Sequence, residues 1–380
     1  MKKILFRKLL TDCLTFFLVT LFSASVIIWV FQAVNFLDIM IEDGRDYIVY
    51  LNYSLLNFPK IVSKVLPFIF FFSFFYVITK YELKNELIIF WNFGINKFEF
   101  INFFFKFSLL LTIIQILLAT FVVPNAQDTA RSFLRTSSIN VFENLIKEKK
   151  FNDTIKGVTF YSESKDNEGN LNNIYLKKQN DKNNFQITYA AKGIFTKKGK
   201  NPVLELFNGE TLNVIGKKTT RFRFSQSDFN FSNLETNTTT YVKTQEVSSE
   251  KLIKCYLRLK QIKFFNFNTD DIVLTNCVPE NVSNILKELY KRIIIPLYLP
   301  ILMLVILSLT LKSKENSNYF RLRIFIFLIG MITLIGSEMT LKFVKTDLLD
   351  NLKIVMIPLI LITIIYLMFY TFINNEKRKK

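Results

Sequence analysis

Three stretches of this chain contain no charged residue: Cys13 to Leu37, Phe107 to Gln127 and Ile354 to Asn375. Each is long enough to cross about 30 Å of hydrocarbon as a helix, which takes about 20 residues at 1.5 Å apiece. A backbone inside a bilayer must satisfy its own hydrogen bonds, so such stretches can hardly fold as anything but membrane helices. Three further stretches carry blemishes. Ile293 to Leu311 is interrupted only by prolines, Val65 to Thr79 needs an extra turn containing Lys64, and Ile324 to Leu341 carries Glu338 near its end. Charges of this kind are tolerated near an interface, where a long side chain still reaches water. The stretches form two groups of three around a polar middle segment. This layout implies a 3+3 membrane protein with a domain inserted on one side.

Composition agrees. Hydrophobic residues make up 50% of the chain and aromatics 16%, with 42 Phe, and the mean hydropathy is +0.26. Lipid-facing helices absorb that much Phe more readily than one soluble core. The first stretch is too long for a signal-peptide core, and Phe31-Gln32-Ala33-Val34-Asn35 offers no small-x-small cleavage site. The chain is expected to stay anchored by its first helix.

Basic residues beside the helix ends set the orientation. Lys2, Lys3, Arg7 and Lys8 precede the first span; Lys80 and Lys84 follow the second; Lys312, Lys314, Arg321 and Arg323 lie between the fourth and fifth; Lys377 to Lys380 end the chain. With six crossings all four clusters share one side, which the positive-inside rule makes the cytoplasm. Both termini are then cytoplasmic, and the acidic loop with Asp38, Glu42, Asp43 and Asp46 lies outside with the middle segment. Lys291 and Arg292, on the outer flank of the fourth span, are exceptions. The net charge of +18 sits largely beside membrane spans, where anionic headgroups account for it, and implies no nucleic-acid partner.

From about 126 to 286 the texture changes. Segments of period two run through Val158–Ser162, Asn173–Lys177, Phe185–Tyr189, Val203–Phe207 and Arg221–Ser225, separated by turn-rich patches at Asp166–Asn170 and Asn180–Asn184. That spacing reads as an antiparallel sandwich or barrel. Ser132–Lys150 and Val282–Lys291 look helical and would lead out of and back into the membrane. Cys255 and Cys277 lie outside and are able to pair in an oxidising compartment, though spacing fixes no geometry.

The chain has no histidine, which removes Ser-His-Asp, Cys-His and His-metal arrangements together. The run Gly193 to Asn201 is no phosphate loop, having one residue too many between its glycines and no Ser or Thr after Lys200. No two carboxylates of the outer domain are brought together by spacing. No catalytic residue, metal or cofactor is expected, and any ATP hydrolysis belongs to another chain.

Three features invite a role. Residues 82–94, Glu82-Leu-Lys-Asn-Glu-Leu-Ile-Ile-Phe-Trp-Asn-Phe-Gly94, read as a short cytoplasmic helix. At 100° per residue Leu83, Leu87, Phe90 and Trp91 share one face, with Glu82, Asn85, Glu86 and Asn92 roughly opposite among Ile89 and Phe93. Gly94 is placed to end it. Such a helix either docks on a cytosolic partner or floats at the headgroups. At the outer end of the first span, Asn35, Asp38 and Glu42 continue the helix as a polar stripe, read most simply as a solvated end. In the fifth span Glu338 and Lys342 stand four apart, the spacing of a helical ion pair, and a paired, snorkelling Glu338 is the simpler reading beside a substrate contact. Pro296 and Pro300 share a face and should bend the fourth span. Phe327 is expected to face lipid.

With these residues on the page, the chain resembles the LptF/LptG (YjgP/YjgQ) permeases of the lipopolysaccharide exporter over nearly its whole length. The resemblance rests on Glu86-Leu-Ile-Ile-Phe-Trp-Asn-Phe-Gly94, on Val123-Pro124-Asn125 closing the third span, and on Glu288-Leu-Tyr-Lys-Arg292 with Pro296 opening the fourth. Phe31-Gln32-Ala33 and the Glu288–Arg292 stretch look closer to the LptF half. The resemblance implies a non-catalytic inner-membrane subunit: residues 1–125 hold spans 1–3, 126–286 a periplasmic all-β jellyroll-like domain, and 287–380 spans 4–6. It implies an LptG-like paralogous permease, an LptB-like ATPase dimer, LptC-like and LptA-like periplasmic jellyroll proteins, and lipopolysaccharide as cargo. Glu86, Leu87, Phe90 and Gly94 would couple to the ATPase. Phe31, Gln32, Glu338 and Lys342 would line a lateral lipid cavity formed with the partner permease. The acidic first-span end departs from the basic LptG half and leaves lipid capture to Lys342, Lys345 or the partner. A force-transmitting or sensing protein without lipid cargo is the rival, although its relatives place the outer domain after the first span. An ion-coupled secondary transporter would want midplane charges and a repeat between halves, and neither is evident.

Overall fold

The structure is a computed structural model, and it describes residues 2–41, 47–136, 148–155, 157–166, 170–181, 184–198, 201–216, 218–230, 243–259, 277–312, 314–315, 317–346 and 348–378. The acidic loop positions Glu42, Asp43 and Asp46, and most of the expected helix Ser132–Lys150, lie outside the described residues. Among the described residues six segments are long and apolar enough to cross a membrane: Lys2–Leu37, Tyr47–Leu83, Lys97–Phe133, Pro279–Leu311, Tyr319–Phe343 and Asn351–Asn374. The expected six-span architecture with an antiparallel β insertion is therefore the observed one.

The first three spans and the segment joining the second to the third comprise α1 (Lys2–Ile41), α2 (Tyr47–Leu56), α3 (Phe58–Leu83), the intervening α4 (Glu86–Asn92), α5 (Lys97–Leu117) and α6 (Val123–Thr136). Pro59 sits at the start of α3, where a missing N–H costs nothing. Between α5 and α6, Leu118–Val122 widens into a π turn. After the insertion come α7 (Ser249–Leu259), α8 (Val282–Ile293), α9 (Tyr298–Leu307), α10 (Tyr319–Met339) and α11 (Leu348–Arg378). The fourth span, where a bend is expected, is interrupted at Pro296. Pro296 cannot donate a helical hydrogen bond, and a 3-10 turn at Ile295–Leu297 separates α8 from α9.

The chain divides into two compact units, Met1–Val30 with Leu56–Thr129 and Val242–Lys380, and Phe31–Leu55 with Ala130–Tyr241. In the first unit α9 is the central pillar: every one of its residues is buried, as expected of a helix apolar all round. Phe70, Phe71 and Phe74 of α3 and Phe100 and Phe104 of α5 are fully buried around it. Since lipid is as apolar as Phe, this packing gains little from excluding water. It rests on shape and ring geometry, with edge-to-face or tilted pairs worth about 0.5–1.5 kcal/mol each. Phe71 shows the fit: a Cβ on Gly330 of α10 would lie 2.1 Å from the Phe71 ring, so only glycine lets the ring seat there. A smaller cluster joins Leu252, Tyr256, Ile285 and Val344, and there Cys255 and Cys277 form a disulfide with Cα atoms 5.8 Å apart.

The β insertion is a six-stranded antiparallel meander, in order β1 (Asn152–Ile155), β2 (Val158–Lys165), β3 (Leu171–Asp181), β4 (Asn184–Lys198), β5 (Asn201–Ile215) and β6 (Lys218–Asn230). Each expected segment falls inside one strand, and β1 is additional. Phe160, Ile174, Leu176, Leu204 and Leu206 form its core. One unpaired step crosses the sheet at Glu163, Asn173, Ala191, Asn208 and Ser225. Asn173 and Asn208 have positive φ, 48° and 51°, and the buried face changes parity there, from Leu171 to Ile174 and from Leu206 to Thr211. Asn tolerates that left-handed conformation better than most side chains. Opposite the core, Tyr161, Tyr175, Tyr189, Glu210 and Arg223 pair directly across five strands.

Candidate functional site

The helix expected over residues 82–94 is shorter than its sequence pattern suggests. α3 runs on to Leu83, Asn85 turns the chain through a left-handed conformation (φ 61°), and α4 begins only at Glu86. Leu83 therefore belongs to α3 and does not share the α4 face. The other three expected inward residues do: Leu87 and Phe90 are buried and Trp91 is half-buried. Phe90 lies 5.8 Å from the ring of Phe6 and 5.6 Å from that of Phe100, edge to face in both cases. Gly94, at φ +70°, ends the helix in a Schellman motif, with Ile95 N–H donating to Phe90 O at 3.1 Å and Gly94 N–H to Trp91 O at 3.0 Å. The opposite surface exposes Ile88, Ile89 and Phe93 at 38%, 45% and 47%. Glu86 stands half-buried in the first turn.

Glu82, expected on the polar face, is instead buried. Its Oε1 accepts the backbone N–H of Lys314 at 3.0 Å, while Lys314 Nζ donates to Leu83 O at 3.0 Å. This clasp ties the loop after the fourth span to the corner from which α4 springs. Its partners are far apart in sequence, and no local pattern announces them.

A second site lies within the helical unit, at the ends of α3, α5 and α8. A small cavity of about 70 Å³ is lined by Lys60, Lys64, Gln115, Lys291, Arg292 and Glu338, among others. Arg292 is the best-held group. It donates to Glu288 Oε1 at 3.0 Å, Val247 O at 3.0 Å, Ser249 Oγ at 2.9 Å and Gln245 O at 2.8 Å. The Gln127 amide, its oxygen toward Lys60, accepts from Lys60 Nζ at 3.0 Å and donates to Gln245 O at 3.2 Å. Lys64, a blemish in the second stretch, and Lys291, an exception on the flank of the fourth, line it together with Glu338.

The expected ion pair between Glu338 and Lys342 does not form among the described residues. α10 ends at Met339 and Thr340–Phe343 tightens into a 3-10 turn, where a residue four positions on lies well around the axis from its predecessor. Glu338 turns to the cavity, and Lys342 is exposed. On α1, Phe31 is 70% exposed and Gln32 half-buried. In that unit Tyr50 OH donates to Ala33 O at 3.1 Å and Phe36 meets Tyr53 edge to face at 5.0 Å. The helix continues through Asp38 as expected. Phe327 does not face lipid freely: it packs 5.9, 5.8 and 5.4 Å from the rings of Phe71, Phe72 and Phe75.

No group of His, Cys, Asp and Glu among the described residues is arranged to hold a metal ion. Compared with known protein families, residues 7–372 match the model described as lipopolysaccharide export system permease LptF/LptG, which covers both halves together. No curated protein matches the chain.

Proposed function

The chain belongs to the lipopolysaccharide export permease family LptF/LptG, a family of multi-pass membrane permease subunits, and from that premise we propose that it couples an ATPase on the cytoplasmic side to extraction of lipopolysaccharide from the inner membrane. The observation that carries the reading is α4. A helix of seven residues could not hold its shape alone in water. Here it is anchored by Leu87 and Phe90 while Ile88, Ile89 and Phe93 stay bare. Anchored apolar anchors beneath an exposed apolar ridge suit a helix that docks in a partner's groove and passes the push inward.

The partners are an LptG-like paralogous permease, an LptB-like ATPase dimer bound at α4, and LptC-like and LptA-like jellyroll proteins that receive the lipid. Phe31, Gln32 and Lys342 line the lateral cavity shared with the paralogue. Residues 126–286 form the periplasmic domain, with 1–125 and 287–380 in the membrane and both termini in the cytoplasm. The four basic clusters support that orientation. So does the Cys255–Cys277 disulfide, a bond that persists in the periplasm and rarely in the cytosol.

Glu86 transmits the stroke at the ATPase. Glu86→Ala is expected to weaken copurification with the ATPase subunit or to uncouple ATP turnover from lipid export. Wild-type values for both would remove Glu86 from the pathway.

A further inference from the structure

We propose that Tyr81 and Asp12 form the positioning pair through which movement of the α4 corner reaches the first membrane helix. The inference rests on the reading of α4 as the ATPase docking helix, and it names the side chains that carry the stroke onward.

Tyr81 and Glu82 are consecutive in the last turn of α3, beside the Asn85 corner from which α4 springs. Neighbours in a helix point about 100° apart. The Glu82 carboxylate faces the Lys314 N–H, whereas the hydroxyl of the buried Tyr81 donates to Asp12 Oδ2 on α1. Asp12 is the last charged residue before the uncharged first stretch, and it makes no ion pair among the described residues. Lys2, Lys3, Arg7 and Lys8 precede it. Anchoring to anionic headgroups accounts for those four and not for a carboxylate among them. The Tyr81 hydroxyl is the group that Asp12 answers.

Two further contacts continue this seam along the helices. Phe16 stacks on Tyr76 with ring centroids 4.8 Å apart, and Thr20 Oγ1 lies 2.9 Å from Ser73 Oγ. Asp12, Phe16 and Thr20 recur every four residues on one face of α1, and they meet Tyr81, Tyr76 and Ser73 in reverse order along α3. Apolar contacts between membrane helices compete with equally apolar lipid, whereas a hydrogen bond is directional and has few rivals in hydrocarbon. The polar ends of the seam therefore fix which helix moves with which. Phe6, which touches Phe90 of α4, lies about 9 Å toward the N-terminus from Asp12 at 1.5 Å per residue. Gripped by α4 at one point and by α3 at another, α1 follows a tilt that a single grip would let pivot.

The test uses the full chain in complex with its partner subunits, reconstituted in nanodiscs. Cys13, buried next to Asp12, is the free thiol, so its rate of reaction with a lipophilic maleimide reports the packing of α1. That rate should differ between the nucleotide-free complex and the complex trapped with ATP and vanadate. Tyr81→Phe removes one hydroxyl and no bulk. It should shrink the difference about tenfold, the scale of one hydrogen bond to a charged group, with ATPase copurification unchanged. Asp12→Leu should shrink it as much, the double substitution no more than either alone, and Asp12→Asn, which keeps an acceptor oxygen, should retain most of it. No nucleotide response at Cys13 in the native complex, a response indifferent to Tyr81→Phe, or losses that multiply in the double substitution would overturn the pair. Ile89→Asp in the same preparation reads the docking helix separately. Loss of the ATPase there, beside an intact response in Tyr81→Phe, removes the pair and leaves α4 as the docking helix; normal copurification there, beside a response that needs Tyr81, removes the ridge and keeps the pair.

Discussion

The ring of Phe6 meets the ring of Phe90 edge to face at 5.8 Å, joining the first membrane helix directly to α4. Phe90 touches Phe100 of α5 in the same manner. A push on α4 thus reaches two spans through rigid aromatic contacts, with no flexible linker between.

Phe90→Ala should therefore act twice. Emptying a buried aromatic position costs about 3–5 kcal/mol, read as lower resistance to unfolding in detergent. It should also disconnect ATP turnover from export. Ile89→Asp, on the exposed ridge, should leave stability within about 0.5 kcal/mol, as at most surface sites, yet weaken ATPase copurification. A variant at Ile89 that still copurifies normally would show that the ridge is not the docking face.

Thiol labelling checks the orientation. Cys13 is the free, buried cysteine, and Cys255 is bonded to Cys277. In denaturant without reductant, maleimide should modify one thiol per chain; after reduction it should modify three. Three thiols before reduction would argue against an oxidising location for that segment. Cys255→Ser should destabilise by about 2–4 kcal/mol, the usual worth of such a bond.

Photo-crosslinkers at Phe31 and Lys342, both exposed, should capture lipopolysaccharide during export. The suitable control is Phe325, which is 60% exposed on the same helix as Glu338. Labelling no stronger than at Phe325 would count against a cavity at these residues.

What the sequence made legible depended on whether a pattern was local. Hydrocarbon-length runs and period-two segments located the spans and the strands, because each is set by its own residues and its solvent. Gly94 was legible for the same reason, since only its own φ had to be accommodated. Leu83 and Lys342 were misplaced because a helical wheel assumes an unbroken helix. Asn85 and the 3-10 turn at Thr340–Phe343 break it. The cavity was visible only as exceptions: Lys64 at the edge of a span, Lys291 and Arg292 on the wrong flank, Glu338 near the end of the fifth stretch. Each seemed a separate blemish until the bundle brought them together. Nothing local could have joined Glu82 to Lys314, and Phe327 was read as lipid-facing because hydropathy cannot tell lipid from a neighbouring Phe.

The Glu82 clasp gives the sharpest contrast between two substitutions at one site. Its carboxylate accepts the Lys314 N–H inside the protein, so what matters is an acceptor oxygen at that position. Glu82→Gln keeps such an oxygen and should change little. Glu82→Leu keeps the bulk, strands the N–H, and should cost about 1–3 kcal/mol. If the clasp also holds the α4 corner steady during the stroke, Glu82→Leu should lower export per ATP hydrolysed while Lys314→Ala, which retains the backbone N–H and loses only the bond to Leu83 O, should lower it less. Equal effects of Glu82→Gln and Glu82→Leu would show that the charge of Glu82, rather than its hydrogen bond, is what the corner requires.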